Sequence, residues 1–216
     1  MCKEFNLYFN NLMSNQAPGL LPYEISVYMT KAQYIIEDEL YKSYENSESI
    51  RKNLSSLVVS TSIAPSSVTY EKIDDNSKFF ALPSDLRYIV YESVLMNGYA
   101  DKCVKNQKIH VQPVLHDEYD SIHENPYRFN IRRALRLDVS IGGNKYSEIV
   151  AKDNNIASYM IRYIKTPRPI FMDGCASTDS IEGVLYTGPD AGEMNPSLHR
   201  NIVEAAAKLA YQDYKV

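Results

Sequence analysis

The sequence predicts an α+β fold: a helical bundle formed by N-terminal helices and a C-terminal helix, with an inserted antiparallel β region. Three observations predict it. Apolar residues recur at helical spacing before residue 58 and again after residue 195. Between them, β-branched and aromatic runs are punctuated by Gly and Asn turns. The two patterns are segregated along the chain and not interleaved, which separates α+β from α/β. The expected division is 1–58 helical, 59–170 antiparallel β with a short helix near 116–124, 171–194 long loop, and 195–216 closing helix.

Each element has its own reason. Pro18-Gly19 breaks a short first helix from a long second one, and Pro22 suits its first turn, where an N–H would be unpaired anyway. Ile25, Tyr28/Met29, Ala32, Ile35/Ile36 and Leu40 then form a stripe that leaves Glu24, Lys31, Glu37 and Lys42 for water. About five turns make a rod of roughly 30 Å. Asn46/Ser47 stops it and caps a third helix carrying Ile50, Leu54 and Leu57/Val58. Residues 59–77 are rich in Ser and Thr and read as an extended connector. Phe79–Pro83, Leu86–Met96 and Ile109–Leu115 read as strands. His116–His123 has helical promise and ends at Asn125-Pro126. A meander follows: Ile131–Val139, a turn at Gly142-Gly143-Asn144, Tyr146–Lys152, a turn at Asp153-Asn154-Asn155, and Ile156–Lys165. Ile170–Met194 reads mainly as loop, with short strands near Gly183–Tyr186. Asn195-Pro196 opens the last helix, where Leu198, Ile202, Ala205/Ala206 and Leu209 make one stripe and Val203, Ala207, Ala210 and Tyr214 a second.

Composition narrows the function classes. The 216 residues suffice for a core without disulfides or metal. No apolar run approaches the 20 or so residues of a membrane span, and residues 1–6 hold no apolar signal segment. A net charge of −4 argues against a nucleic-acid-coating protein. Cys2, Cys103 and Cys175 are far apart and odd in number, so they read as free thiols in a reducing compartment. Eighteen Tyr and no Trp point weakly to protein interfaces; half-buried strands explain them better.

Motifs that carry chemistry are mostly missing. There is no P-loop, no dinucleotide-binding glycine pattern, no zinc-protease helix and no serine-hydrolase elbow. On a helix, His116, Asp120 and His123 or Glu124 would share a face, so a small metal-dependent hydrolase using the His116–Glu124 cluster is one alternative. Cys175 with His199 is a weak nucleophile pair, since both lie in or near a loop. Asp138, Glu148 and Lys152 are wrongly spaced for a nuclease-like set, because strand residues four apart are about 13 Å from each other. Arg132, Arg133, Arg136, Arg162, Lys165 and Arg168 form a basic group on the predicted meander. A DNA-binding adaptor using the Arg132–Arg168 basic cluster is the second alternative. Pairing with acidic groups of a neighbouring subunit, or a solvated sheet face, fits the same residues.

Several phrases are more particular. They are Phe80-Ala81-Leu82-Pro83-Ser84-Asp85-Leu86-Arg87-Tyr88-Ile89, Asp117-Glu118-Tyr119 with Asn125-Pro126-Tyr127-Arg128, and Arg133-Ala134-Leu135-Arg136-Leu137. Further on come Ile161–Ile170 and Asn195–Val203. From about residue 22 onward the chain resembles the neck ring (head-to-tail connector) proteins of crAss-like bacteriophages, and more distantly the tubular head-tail adaptor proteins of short-tailed phages. The resemblance implies a structural virion protein in the neck or tail, assembled in the host cytoplasm, with no catalytic residue and no cofactor. It implies a closed ring, commonly twelvefold, below the portal, continuing the DNA channel and docking the next tail component. The implied partners are further copies of the chain, the portal protein, adjacent tail or ring proteins, and genomic DNA that passes without specific binding. No membrane is implied. Interface candidates are then Arg132, Arg133, Arg136, Arg162, Arg168, Tyr211 and Tyr214, with the loop Phe171–Met194 and the tail Tyr211–Val216. Glu37, Asp38 and Glu39 are candidates for the channel lumen or rim, where acidic groups let DNA slide.

Overall fold

The computed structural model describes residues 1–13, 19–44, 47–68, 70–97, 107–152 and 155–214. The expectations placed on Pro18, Asn46, Cys103, the Asp153-Asn154 turn and the last two residues lie outside them. The chain forms two compact units, Met1–Leu57 with Pro167–Val216, and Val58–Thr166.

Among the described residues, the first unit holds four of the five α-helices. α1 (Cys2–Leu12) buries Phe5 and Phe9, one turn apart, with their rings 5.8 Å from each other. α2 (Pro22–Lys42) begins on Pro22, and the Glu24 carboxylate reaches back to accept the Leu21 N–H at 2.8 Å. That contact satisfies one of the orphan donors of the first turn. α3 (Glu48–Leu54) starts after Ser47 and runs into a 3-10 turn at Ser55–Leu57. The helix expected after Asn195-Pro196 is entered through a 3-10 turn, Pro196–Leu198, where the Asn195 side chain accepts the Ser197 N–H. The closing helix, His199–Tyr214 (α5 below), packs on α1 and α2. It buries Ile202 and Ala206 from one predicted stripe, and Val203, Ala207 and Ala210 from the other. The small alanines allow close approach to both helices.

The second unit is a seven-stranded sheet. Its strands are β1 (Val58–Ile63), β2 (Ser77–Ala81), β3 (Leu86–Met96), β4 (Gln107–Pro113), β5 (Arg133–Ile141), β6 (Asn144–Val150) and β7 (Ile156–Lys165). The spatial order is β1-β7-β3-β4-β5-β6-β2. Two expectations are corrected here. The sheet is mixed and not purely antiparallel, because β4 and β5 pair in parallel through a crossover that holds the short helix α4 (Tyr119–His123). Nor is there a three-strand meander. β5 and β6 form the predicted hairpin, with Gly142 and Gly143 at positive φ in its turn. β7 then pairs with β1 and β3, since β2 occupies the free side of β6. The segment read as a connector also contains a strand: Val58–Ile63 is β1, and Val58 belongs to it and not to the preceding helix.

The two faces of β5 and β6 bury different clusters. Leu135, Leu137 and Val150 pack under Tyr119, Ile122 and Phe129 of the crossover. The alternate residues Ala134 and Ile149 join Phe80, Val94, Met96, Ile109, Val111, Tyr159 and Ile161. Each fully buried Leu, Ile or Val contributes about 1.5–3 kcal/mol. The sheet curls strongly around this second cluster. Phe80 of edge strand β2 meets Tyr159 of β7 with ring centroids 5.4 Å apart, although five strand positions separate them. Lys78 Nζ spans the same gap and donates to the Ile156 carbonyl at 2.9 Å. Among the described residues no helix is long and apolar enough to cross a membrane.

Candidate functional site

The α2 face that looks polar in sequence is buried. Ser26, Thr30, Gln33 and Glu37 are all at most 2% exposed. They lie on one face because four, three and four residues separate them. Glu37, expected in water and at a channel rim, is thus interior; Asp38 is half-buried and Glu39 exposed. The buried face holds the start of the predicted loop. The Met172 N–H donates to Ser26 Oγ at 2.9 Å, and the Ile170 N–H to Thr30 Oγ1 at 3.1 Å. Gln33 Nε2 donates to the Arg168 carbonyl at 3.0 Å. The spacing fits: two residues of extended chain cover about 6.6 Å and four helical residues about 6 Å. Residues 168–172 therefore run as a strap antiparallel to α2, one alternate backbone group per helical turn. Further along, Ser180–Ile181 (β8) and Val184–Leu185 (β9) form a two-stranded ribbon with Glu182 and Gly183 at positive φ. Tyr34 Oη ties this ribbon to α2 by donating to Glu182 at 2.8 Å. The ribbon leaves Val184 and Leu185 exposed.

Inside the curled sheet lies a buried network that includes charged side chains. Tyr159 Oη (β7) donates to Glu92 Oε2 (β3) at 2.6 Å, and Arg136 Nη1 (β5) donates to the same oxygen at 3.1 Å. Arg136 Nε lies 3.3 Å from Asp138, which also accepts from Ser147 Oγ (β6) at 2.9 Å. Four strands are joined in this way. Burial pushes the Glu92 carboxyl above its ordinary range, opposed by the Arg136 charge and the Tyr159 hydrogen bond. Burial and the Glu92 charge push the Tyr159 phenol up. Arg136 is displaced upward too: burial opposes its charge, but Glu92 and Asp138 outweigh burial.

The predicted residues are dispersed. His116 Nε2 lies 3.1 Å from the Asp138 carbonyl. His123 pairs with Asp74 at 3.1 Å and stacks between Tyr119 and Phe129. The His116–Glu124 residues are thus turned apart, and among the described residues no three His, Cys, Asp or Glu side chains are placed to hold a metal. Glu148 accepts from the Ile73 N–H and Ser77 Oγ, on the sheet face opposite Asp138, and Lys152 sits over the Phe129 ring. Cys175 Sγ lies 3.5 Å from Ser26 Oγ, not against His199. The basic group does not form one cluster either. Arg136 is interior; β7, which carries Arg162, is separated from β5 by two strands; Arg168 belongs to the other unit and pairs with Glu193. Tyr211 is half-buried, and Tyr214 is exposed with its ring edge against Phe9.

One basic stretch stands out. Arg128, Arg132 and Arg133 are exposed, and among the described residues no ion pair engages their guanidinium groups. Tyr127 beside them is 88% exposed, and Ile131 is exposed as well. Tyr and Arg, with Trp, are the residues enriched at binding hot spots. Tyr127 and Arg128 were absent from the interface candidates. Their signal was an aromatic and an Arg adjoining two further Arg in a segment without apolar period.

Comparisons with known proteins agree on the class. A family model described as phage tail ring protein 3/4 matches residues 1–216. The chain is 30% identical to "Ring protein 3" of Bacteroides phage crAss001, over 96% of this chain and 94% of the relative. It is 29% identical to "Ring protein 4/5" of the same phage, over 98% of this chain and 91% of the relative.

Proposed function

The chain belongs to the phage tail ring protein 3/4 family of crAss-like phages, and from that premise we propose that it is a structural virion protein forming a cyclic, twelvefold ring in the head-to-tail connector. The ring sits below the portal, continues the DNA channel and docks the next tail component. The observation that carries this reading is the near full-length likeness to two separate ring proteins of one phage. Both relatives are named as ring proteins, which supports a role without catalysis.

A ring of identical copies needs a head-to-tail contact between two different surfaces. Arg132, Arg133, Arg162, Arg168, Tyr211 and Tyr214 are assigned to contacts with the neighbouring copy or the adjoining ring, joined now by Tyr127 and Arg128. Asp38 and Glu39 are assigned to the channel rim. Arg136 and Glu37 drop out of those roles because each chain buries them itself. A ring built from chains of net charge −4 is acidic overall, which suits DNA that must slide and not be held.

Quantitative mass spectrometry of purified particles tests the reading. Twelve copies, or a multiple of twelve, are expected per particle. One copy per particle, or none, contradicts it.

A further inference from the structure

The seven-stranded sheet has two edges, and the chain treats them differently. The β2 edge is covered by the segment that precedes it. The Ser66 N–H donates to the Phe79 carbonyl at 2.7 Å, and the Ser77 N–H to the Asp74 carbonyl at 3.0 Å. Tyr70 closes over the same place, its ring edge-on to Phe79 at 6.4 Å. Among the described residues the β1 edge has no such cover. Val58–Ile63 pairs with β7 on one side, and among the described residues no hydrogen bond reaches its other side. Val59 and Ile63 pack on the core, while Ser60 and Ser62 are exposed.

Edge strands in proteins are normally blunted by a Lys, a Pro, a bulge or a covering segment. Among the described residues β1 has none of these. Val58-Val59-Ser60-Thr61-Ser62-Ile63 contains no charged residue, proline or glycine, and its register with β7 runs without a shift. In an antiparallel pair every second residue points its N–H and C=O away from the partner, so about half of the β1 backbone groups face outward. Val, Thr and Ile favour the extended conformation that an added strand needs.

We infer that the outer edge of β1 is a strand-addition site, occupied in the assembled particle by an extended segment of a second copy of this chain. The sheet then continues across the subunit boundary. This inference rests on the ring reading above. Two features select the occupant. The two edges differ, one sealed and one open, so the sheet grows in one direction only, as a head-to-tail ring contact requires. The edge also carries no Lys or Arg to neutralise DNA phosphates or pair with an acidic partner, and main-chain bonding is the chief thing it has to give.

Site-specific photo-cross-linking tests this. A benzophenone amino acid is placed at Ser60 and, as a control, at Ala81 on the sealed edge, in chains assembled into particles whose copy number is counted. The Ser60 position is expected to give chain-to-chain adducts at least tenfold above Ala81. An adduct from Ser60 to a different virion protein, or no adduct, overturns the inference. Ring-level copy number without a Ser60 self-adduct removes the strand contact and leaves the ring; a single copy per particle removes both. The variant S60K/S62K adds a second readout. It is expected to lower incorporation into particles at least tenfold while the isolated chain melts as wild type does. Incorporation at the wild-type level overturns the inference, and the cross-link decides the matter if the lysines disturb folding.

Discussion

Each unit contains one buried polar set that ties distant segments together, and the two sets differ in chemistry. In Met1–Leu57 with Pro167–Val216, the buried groups of α2 that hold the strap are neutral: two hydroxyls and an amide bonded to its backbone. In Val58–Thr166 the groups that join β3, β5 and β7 are ionisable: a carboxylate, a guanidinium and a phenol. The difference teaches what each arrangement is for. Neutral side chains bonded to backbone cost little to bury, and they fix the register of a segment that has no ladder of its own. An ionised network gives little net stability against an apolar core but is costly to break in part, so it enforces one arrangement of the strands that share it.

The sharpest way to break the comparison is Glu92→Ala. It leaves Arg136 with one acidic partner in place of two and the Tyr159 hydroxyl unpaired. We expect a loss of about 3 kcal/mol, read by urea unfolding, with faster hydrogen exchange confined to β3, β5 and β7. A loss below about 1 kcal/mol would show that Asp138 alone holds Arg136.

In the other unit the largest effect comes from Gly192. A Cβ there would lie 2.7 Å from Gln33 Oε1 and 3.0 Å from Ile170 Cγ1, at a φ of +83°. Gly192→Ala is expected to cost about 2 kcal/mol and to raise exchange along residues 168–172. Thr30→Val keeps the shape but removes the acceptor of the Ile170 N–H. Its expected cost is about 1.5 kcal/mol, with protection lost first at Ile170.

The pH dependence separates the two units further. The folded Glu92 carboxyl titrates above its ordinary value, so the folded chain binds its proton more tightly than the unfolded chain does. The stability due to this proton is complete below the ordinary glutamate value and is lost as pH rises through the raised value. Urea midpoints should therefore fall across that window in wild type, and Glu92→Gln should flatten the fall. Thr30→Val should leave its slope untouched. The smallest effect is expected from Arg200→Ala, which removes an exposed pair with Glu204 on α5; its thermal midpoint should match wild type.

How legible these regions are in the sequence follows from what each element depends on. α2, α5 and the β5–β6 hairpin can be read because their signals are local: an apolar period, a proline at a helix start, glycines in a turn. β1 is missed because Ser and Thr in Val58–Ile63 resemble a connector, and its partner β7 lies about a hundred residues on. The parallel β4–β5 pair and the place of β7 are set by which edge is free when strands meet, which no local pattern records. Polar residues mislead in both units for one reason. Glu37 reads as a wet position on α2, and Arg136 as part of a basic strand face. Such burial is set by groups distant in sequence, as Glu92 is for Arg136. The family phrases do carry over, since they cover most of the chain and do not depend on pairing.

The central claim is that this chain works by tiling with copies of itself around an axial channel. A density map of the intact particle, reconstructed at its neck and tail, tests it most directly. The account predicts the chain repeated at equal angles around the axis, each copy touching the next. A map in which it occurs as an isolated subunit, with no second copy beside it, contradicts the account.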